Sequence, residues 1–229
     1  MYHRLQALVL KTGVSAEADK TVLLFTREWG KVSAVVPGAK KIKAKLSAAA
    51  EPVLECDFSV YLKTPNARSR VTGVRILNGF SSLRSDWRRF CMAQHCSEIC
   101  DALTMYNSEN AMKYDLLGRT WELLEKAENP KRIVLAFTMR FLKLSGYSFL
   151  DYIKRGNLQT TRSVYDVLLK ISTMSGEALD ADEGMDDSIL SEVESCLEGY
   201  LNLYLTRPLH SKKFMSKIAV MEKQLAAAN

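Results

Sequence analysis

Lys40, Lys41, Lys43 and Lys45 place four ammonium groups within six residues, directly after a Pro37-Gly38 turn. Each is a flexible point charge with three donors, so four on one loop can follow a phosphate backbone. Each phosphate neutralised releases counterion, which costs ~0.7 log units of affinity per log unit of salt on a single strand. The alternative is a loop that its lysines simply keep solvated. Arg27 and Lys31 precede the cluster, Arg68 and Arg70 follow it, and Arg84, Arg88 and Arg89 extend the series. Exposed rings beside such charges can stack bases at ~1–3 kcal/mol each. Trp29, Tyr61 and Phe80 are the candidates for that role, whereas Phe25 and Phe58 read as core.

Other chemistry finds little support. Cys91, His95, Cys96 and Cys100 resemble a metal cluster, but structural zinc prefers paired knuckles in loops. These four fall in one predicted helix, where Cys96 and Cys100 share a face at i and i+4 while Cys91 and His95 point elsewhere, so buried thiols are the better reading. Asp180, Asp182, Glu183, Asp186 and Asp187 lack the spacing of a calcium loop, and the stretch Glu177 to Asp187 reads as an exposed acidic loop. No glycine-rich phosphate loop, nucleophile elbow or zinc-hydrolase helix is present. Three histidines leave little material for acid–base work near neutral pH. The expectation is a protein that is not an enzyme, with no cofactor and no metal.

The elements that must carry these residues fall into two groups. Residues 1–90 hold 16 basic and 7 acidic side chains, a balance of +9, whereas the remaining 139 hold 16 basic and 19 acidic. Positive charge concentrated in one part of a chain suits a polyanion-binding module. Periodicity changes at nearly the same place. Leu54, Cys56, Phe58, Val60 and Leu62 alternate with Glu55, Asp57, Ser59, Tyr61 and Lys63, as in a strand with one buried face. Strands near 5–11, 22–25, 31–36 and 70–77 bring the total to five in about 80 residues, the spacing of a small barrel. After Ser81 the period becomes helical. Helices are predicted from Ser85 or Asp86 to Leu103, over 112–127, from Pro130 to Gly146, and near 160–175, 187–206 and 211–226. The domains expected are 1–80 and 81–229. No apolar run approaches the ~18 residues that span a bilayer. The five cysteines are odd in number, and Met1 to Leu5 lack a long apolar stretch, so a cytoplasmic protein with reduced thiols and no membrane partner is expected.

Three stretches carry a resemblance. Leu24-Phe25-Thr26-Arg27-Glu28-Trp29-Gly30-Lys31, with Gly38-Ala39-Lys40-Lys41 and Glu51-Pro52, looks like the N-terminal domain of the RecO recombination mediator family. Phe137 to Leu142 with Ser145-Gly146-Tyr147 resembles the central helix of that family's helical domain. Tyr200-Leu201 and Arg207 to Phe214 are similar to its C-terminal signature. The resemblance implies an α+β protein: a five-stranded OB-fold β-barrel followed by an all-α helical domain. It also implies DNA repair by binding of single- and double-stranded DNA, annealing of complementary strands and, with RecR, loading of RecA onto DNA coated by single-strand binding protein, in association with the nucleoid. Many members carry a four-cysteine zinc site after the Gly-Tyr pair. Here Ser148 to Met174 contains no cysteine, so no zinc is expected.

From these residues the DNA-binding set is Arg27, Lys31, Lys40, Lys41, Lys43, Lys45, Arg68, Arg70, Arg84, Arg88 and Arg89. The acidic tail of single-strand binding protein, which ends in Phe with a free carboxylate, requires an apolar pocket and a cation. Phe137, Phe141 and Leu144, with Arg132, Arg140 and Lys143, are the expected set, against the alternative that this stripe is core. The competing function is an OB-fold RNA-binding or translation-associated adaptor with a helical interaction domain, because OB barrels serve many functions.

Overall fold

A computed structural model of the chain describes residues 1–15, 18–40, 46–62 and 69–212. Five strands come first: β1 (Tyr2–Val14), β2 (Lys20–Thr26), β3 (Gly30–Val36), β4 (Glu55–Tyr61) and β5 (Ser69–Asn78). Among the described residues eight α-helices follow: α1 (Ser81–Ser85), α2 (Trp87–Leu103), α3 (Ala111–Lys126), α4 (Pro130–Leu144), α5 (Phe149–Lys154), α6 (Arg162–Thr173), α7 (Gly176–Asp180) and α8 (Asp187–Asn202). The strands pair in the order β1-β2-β3-β5-β4 and return to β1, which closes the sheet. All pairings are antiparallel except β3 with β5, a short parallel seam at Ala34↔Ser69 and Val35↔Arg70. The expected α+β architecture, an OB-type sheet followed by helices, is what the chain adopts.

β1 explains how two cores share one strand. Its first half pairs with β4 and its second half with β2, and the register shifts between Val9 and Lys11. Alternation sends Leu5, Ala7 and Val9 into the barrel, where they meet Val22, Leu24, Val32, Ala34, Phe58 and Val60. Leu8 and Leu10 point the other way and join Phe25, Phe80, Leu83 and the helices. One face of the barrel is thus continuous with the helical core.

Phe80 links the two halves. It is 2 % exposed, adopts φ 44° just before α1, and packs edge-on to Trp121 at 5.4 Å. Asn78 Oδ1 accepts from its backbone N–H at 3.0 Å. Burial removes Phe80 from the stacking candidates.

The helices start where their caps dictate. Asp86 accepts from the N–H groups of Arg88 and Arg89, Asn110 from Lys113, Thr161 from Val164 and Asp186 from Ser188. Pro130 occupies the first turn of α4. α2 departs from a simple amphipathic stripe: Cys91, Ala93, His95, Cys96, Ser97, Ile99 and Cys100 are all buried, because it lies between the barrel and the other helices. The expected helix near 211–226 falls almost wholly outside the described residues. The acidic stretch is not simply a solvated loop. It begins as α7, buries Leu179 and Met185, and presents Asp180 to cap α4.

Candidate nucleic-acid interface

The eleven predicted DNA contacts separate into three groups. Lys41, Lys43, Lys45 and Arg68 lie outside the described residues. Lys31 and Arg89 are held within the fold. Lys31 is 5 % exposed; its ammonium donates to the Asp101 backbone carbonyl at 2.6 Å and to Asp101 Oδ1 at 3.0 Å, and sits 4.6 Å from the centre of the Tyr106 ring. It therefore fastens β3 to the end of α2 and is corrected from the DNA set. Arg89 donates to Asp86 at 3.2 Å and to the Leu124 carbonyl at 2.6 Å, joining α2 to α3.

Arg27, Lys40, Arg70, Arg84 and Arg88 are exposed. Arg27 makes a surface ion pair with Asp115 at 3.0 Å. Lys40 follows β3, and its N–H bonds the Ala18 carbonyl at 3.1 Å, which ties this segment to the β1–β2 connection. Arg70 lies across from Tyr61, whose ring is 5.0 Å from that of exposed Tyr2. A cation and two rings thus adjoin on the barrel surface. Trp29 instead packs edge-on to His3 at 4.7 Å and leans on the barrel core. Arg84 donates to the Pro52 carbonyl at 2.6 Å and covers the Phe90 ring at 5.9 Å; Arg88 covers Trp87 at 5.3 Å. Arg4 and Arg75, exposed on the barrel and not in the predicted set, converge on Asp57. Strand alternation beside an aspartate on β4 was their only signal.

The predicted peptide set is divided by the packing of α4. Phe137 is 1 % exposed and Phe141 is fully buried, with their rings 5.2 Å apart. Lys113 lies 5.0 Å from the centre of the Phe141 ring, and burial lowers its pKa. Arg132 is 7 % exposed and donates to the carbonyls of Leu179, Asp180, Asp182 and Met185 at 2.6–3.4 Å. Phe141 and Arg132 build the fold, whereas Phe137 and Arg140 line a small cavity of about 230 Å³ beside α3 and α7. Arg140 is half-buried, donating to the Ile171 carbonyl at 3.1 Å and to that of Met174; burial lowers its pKa. Lys143 is exposed and Leu144 half-buried.

A larger opening lies beside them. A cavity of about 550 Å³ between α2, α4 and α8 is walled by Val134, Leu135, Leu197, Leu201 and Leu209, with Lys131 among its lining residues. Cys91, Cys96 and Cys100 are buried thiols, and burial pushes that of Cys100 up to about 12. Among the described residues no group of three or more metal-ligating side chains is assembled. None of the described helices is long and apolar enough to cross a membrane.

A five-stranded barrel in OB order, packed through one face onto a helical region built on α2 and α4, defines an OB-fold protein with a helical domain. The family model described as recombination protein O N terminal matches residues 1–80, and that described as recombination protein O C terminal matches residues 84–149. Together they cover more than half of the chain, and the chain belongs to the RecO family. It is 28 % identical over 147 residues to the DNA repair protein RecO of Alkaliphilus metalliredigens, covering 64 % of this chain and 59 % of that one. The Clostridium novyi protein of the same name is 31 % identical over 145 residues, covering 63 % and 56 %. That of Acetivibrio thermocellus is 26 % identical over 186 residues, covering 80 % and 73 %. The chain therefore spans little more than half the length of most of the relatives it matches.

Proposed function

We propose that this chain is a strand-handling protein of DNA repair and recombination, acting by binding rather than by a chemical step. In this reading it binds single- and double-stranded DNA and anneals complementary strands. With RecR, it helps load RecA onto DNA coated by single-strand binding protein. The observation that carries the reading is a family-matched OB barrel with exposed Lys40 and Arg70, followed by exposed Arg84 and Arg88 on α1 and α2, all four in the +9 part of the chain. Two strands held on one positive surface repel each other less, which favours annealing without catalysis.

Binding through phosphate contacts carries a salt signature. The Lys40/Arg70/Arg84/Arg88→Ala protein should lose most of its affinity for a fluorescent oligonucleotide at moderate salt. Its slope of log affinity against log salt should also become shallower, by ~0.7 for each contact removed on a single strand. Unchanged affinity and slope would exclude these side chains as the interface.

For the acidic tail of single-strand binding protein, the α2–α4–α8 cavity suits a terminal Phe better than the buried stripe of α4. Its walls are leucines and valine, and Lys131 stands 40 % exposed beside them, paired with Glu194 at 2.9 Å. Lys131→Glu should weaken tail-peptide binding several-fold, whereas Lys143→Ala should leave it unchanged. The reverse ranking would return the site to the end of α4.

A further inference from the structure

Trp87 is the first residue of α2, and its indole is 42 % exposed. It borders a cavity of about 640 Å³ between β1 and α2, a volume within the range of small-molecule sites. Phe90 forms a second aromatic part of the lining, and Leu10 and Cys91 contribute apolar surface. Two guanidinium groups flank these rings, Arg88 over Trp87 and Arg84 over Phe90, and Lys11 and Arg207 also line the cavity. One polar group there is unsatisfied. Gln94 lines the same cavity, and its side-chain amide nitrogen is buried with no hydrogen-bond partner. A buried donor without a partner is unfavourable, and an acceptor on a ligand would satisfy it.

Glu98 and Asp101, which also line the cavity, are already engaged. Glu98 accepts from the N–H groups of His210 and Ser211 and from the Ser211 hydroxyl. Asp101 accepts from Lys31 and Arg207. What remains available is aromatic surface, an amide donor and surrounding positive charge. A planar heterocycle with carbonyl or imine acceptors, attached to an anionic backbone, matches all three.

We infer that the β1–α2 cavity receives an unstacked base of single-stranded DNA, with Trp87 as its stacking platform, Gln94 as donor to its edge and Arg84 and Arg88 along the adjoining phosphates. The inference rests on the proposal that this chain binds DNA and adds the part of the ligand that the cavity contacts. A duplex keeps its bases stacked inside, so the cavity would act on single strands alone. Stacking on one ring is worth ~1–3 kcal/mol, equivalent to a roughly 5- to 150-fold change in affinity.

An abasic oligonucleotide offers the same phosphates without rings. The wild-type chain should bind oligodeoxythymidylate about tenfold more tightly than the abasic strand, an effect within the stacking range. Trp87→Ala should bind the two alike, with duplex affinity and salt slope unchanged, and Trp87→Phe should keep most of the preference. Gln94→Leu should reduce it. If Trp87→Ala keeps the full preference for bases while duplex binding is intact, the base site is refuted and the DNA reading survives. If the wild-type chain binds neither form of DNA, the DNA reading itself fails and the base site with it.

Discussion

His95 holds the last described residues against α2, and its protonation state follows from who donates to whom. The Ser211 hydroxyl donates to Glu98 Oε2 at 2.6 Å, so its single proton is committed. His95 Nδ1, 3.0 Å from Ser211 Oγ, must then carry the proton and donate to it. Burial lowers the His95 pKa from 6.5 to about 4. An unfolded chain binds this proton below about pH 6.5, whereas the folded one resists it down to about 4. The stability it contributes is complete above the unfolded value and declines as pH falls from 6.5 towards 4. Urea denaturation should therefore find the protein on the order of 2 kcal/mol less stable at pH 5 than at pH 7.5, and His95→Gln should flatten that dependence. An equally steep profile in the variant would show that another group sets it. The sequence placed His95 on a helix beside three cysteines. It could not show the serine that joins His95 to Glu98, because Ser211 lies 116 residues away.

At the scale of elements, sequence periodicity located most strands and helices and missed short helices held by tertiary contacts. α1, α5 and α7 have five or six residues each, too few to display a period. α7 is maintained by the segment it caps. Asp180 accepts from the N–H groups of Glu128 and Asn129 at 3.0 and 2.6 Å, while Arg132 reaches back to four carbonyls between Leu179 and Met185. A charge on α4 reads as surface until the acidic segment folds over it. Arg132→Met should lower stability by ~3 kcal/mol, since it strips charged donors from buried carbonyls. Arg132→Lys should restore little, because one ammonium cannot serve the same fork of acceptors. A loss under 0.5 kcal/mol on chemical denaturation would contradict this role. Gly30 was legible only as a turn. Its φ is +65°, and a Cβ there would lie 1.9 Å from the Ser108 carbonyl oxygen, where the α2–α3 connection crosses β3. Gly30→Ala should cost several kcal/mol, and a thermal melt matching wild type would refute that close approach.

Across the whole molecule, charge and period suggested two modules, and the packing joins them. Leu8, Leu10, Phe25 and Phe80 belong to the core of the helices although their strands close the barrel or lead out of it. Lys31 is buried at the same junction. Unfolding followed separately through Trp29 on the barrel and Trp121 in the helices should give coincident transitions, and two resolved midpoints would contradict a shared core. This junction also explains why part of the predicted cationic track is unavailable. Basic residues counted along a sequence include those that packing between elements consumes, as Lys31 is by Asp101 of α2 and Arg89 by Asp86 and the Leu124 carbonyl of α3. Among the described residues, the proposed function rests on exposed Lys40, Arg70, Arg84 and Arg88. The most direct test is the rate at which two complementary oligonucleotides anneal when each is coated with single-strand binding protein, measured across a salt series. Acceleration that weakens with salt, and is lost in Lys40/Arg70/Arg84/Arg88→Ala, is the predicted result. DNA binding without acceleration at any salt would contradict it and leave the barrel as a simple adaptor.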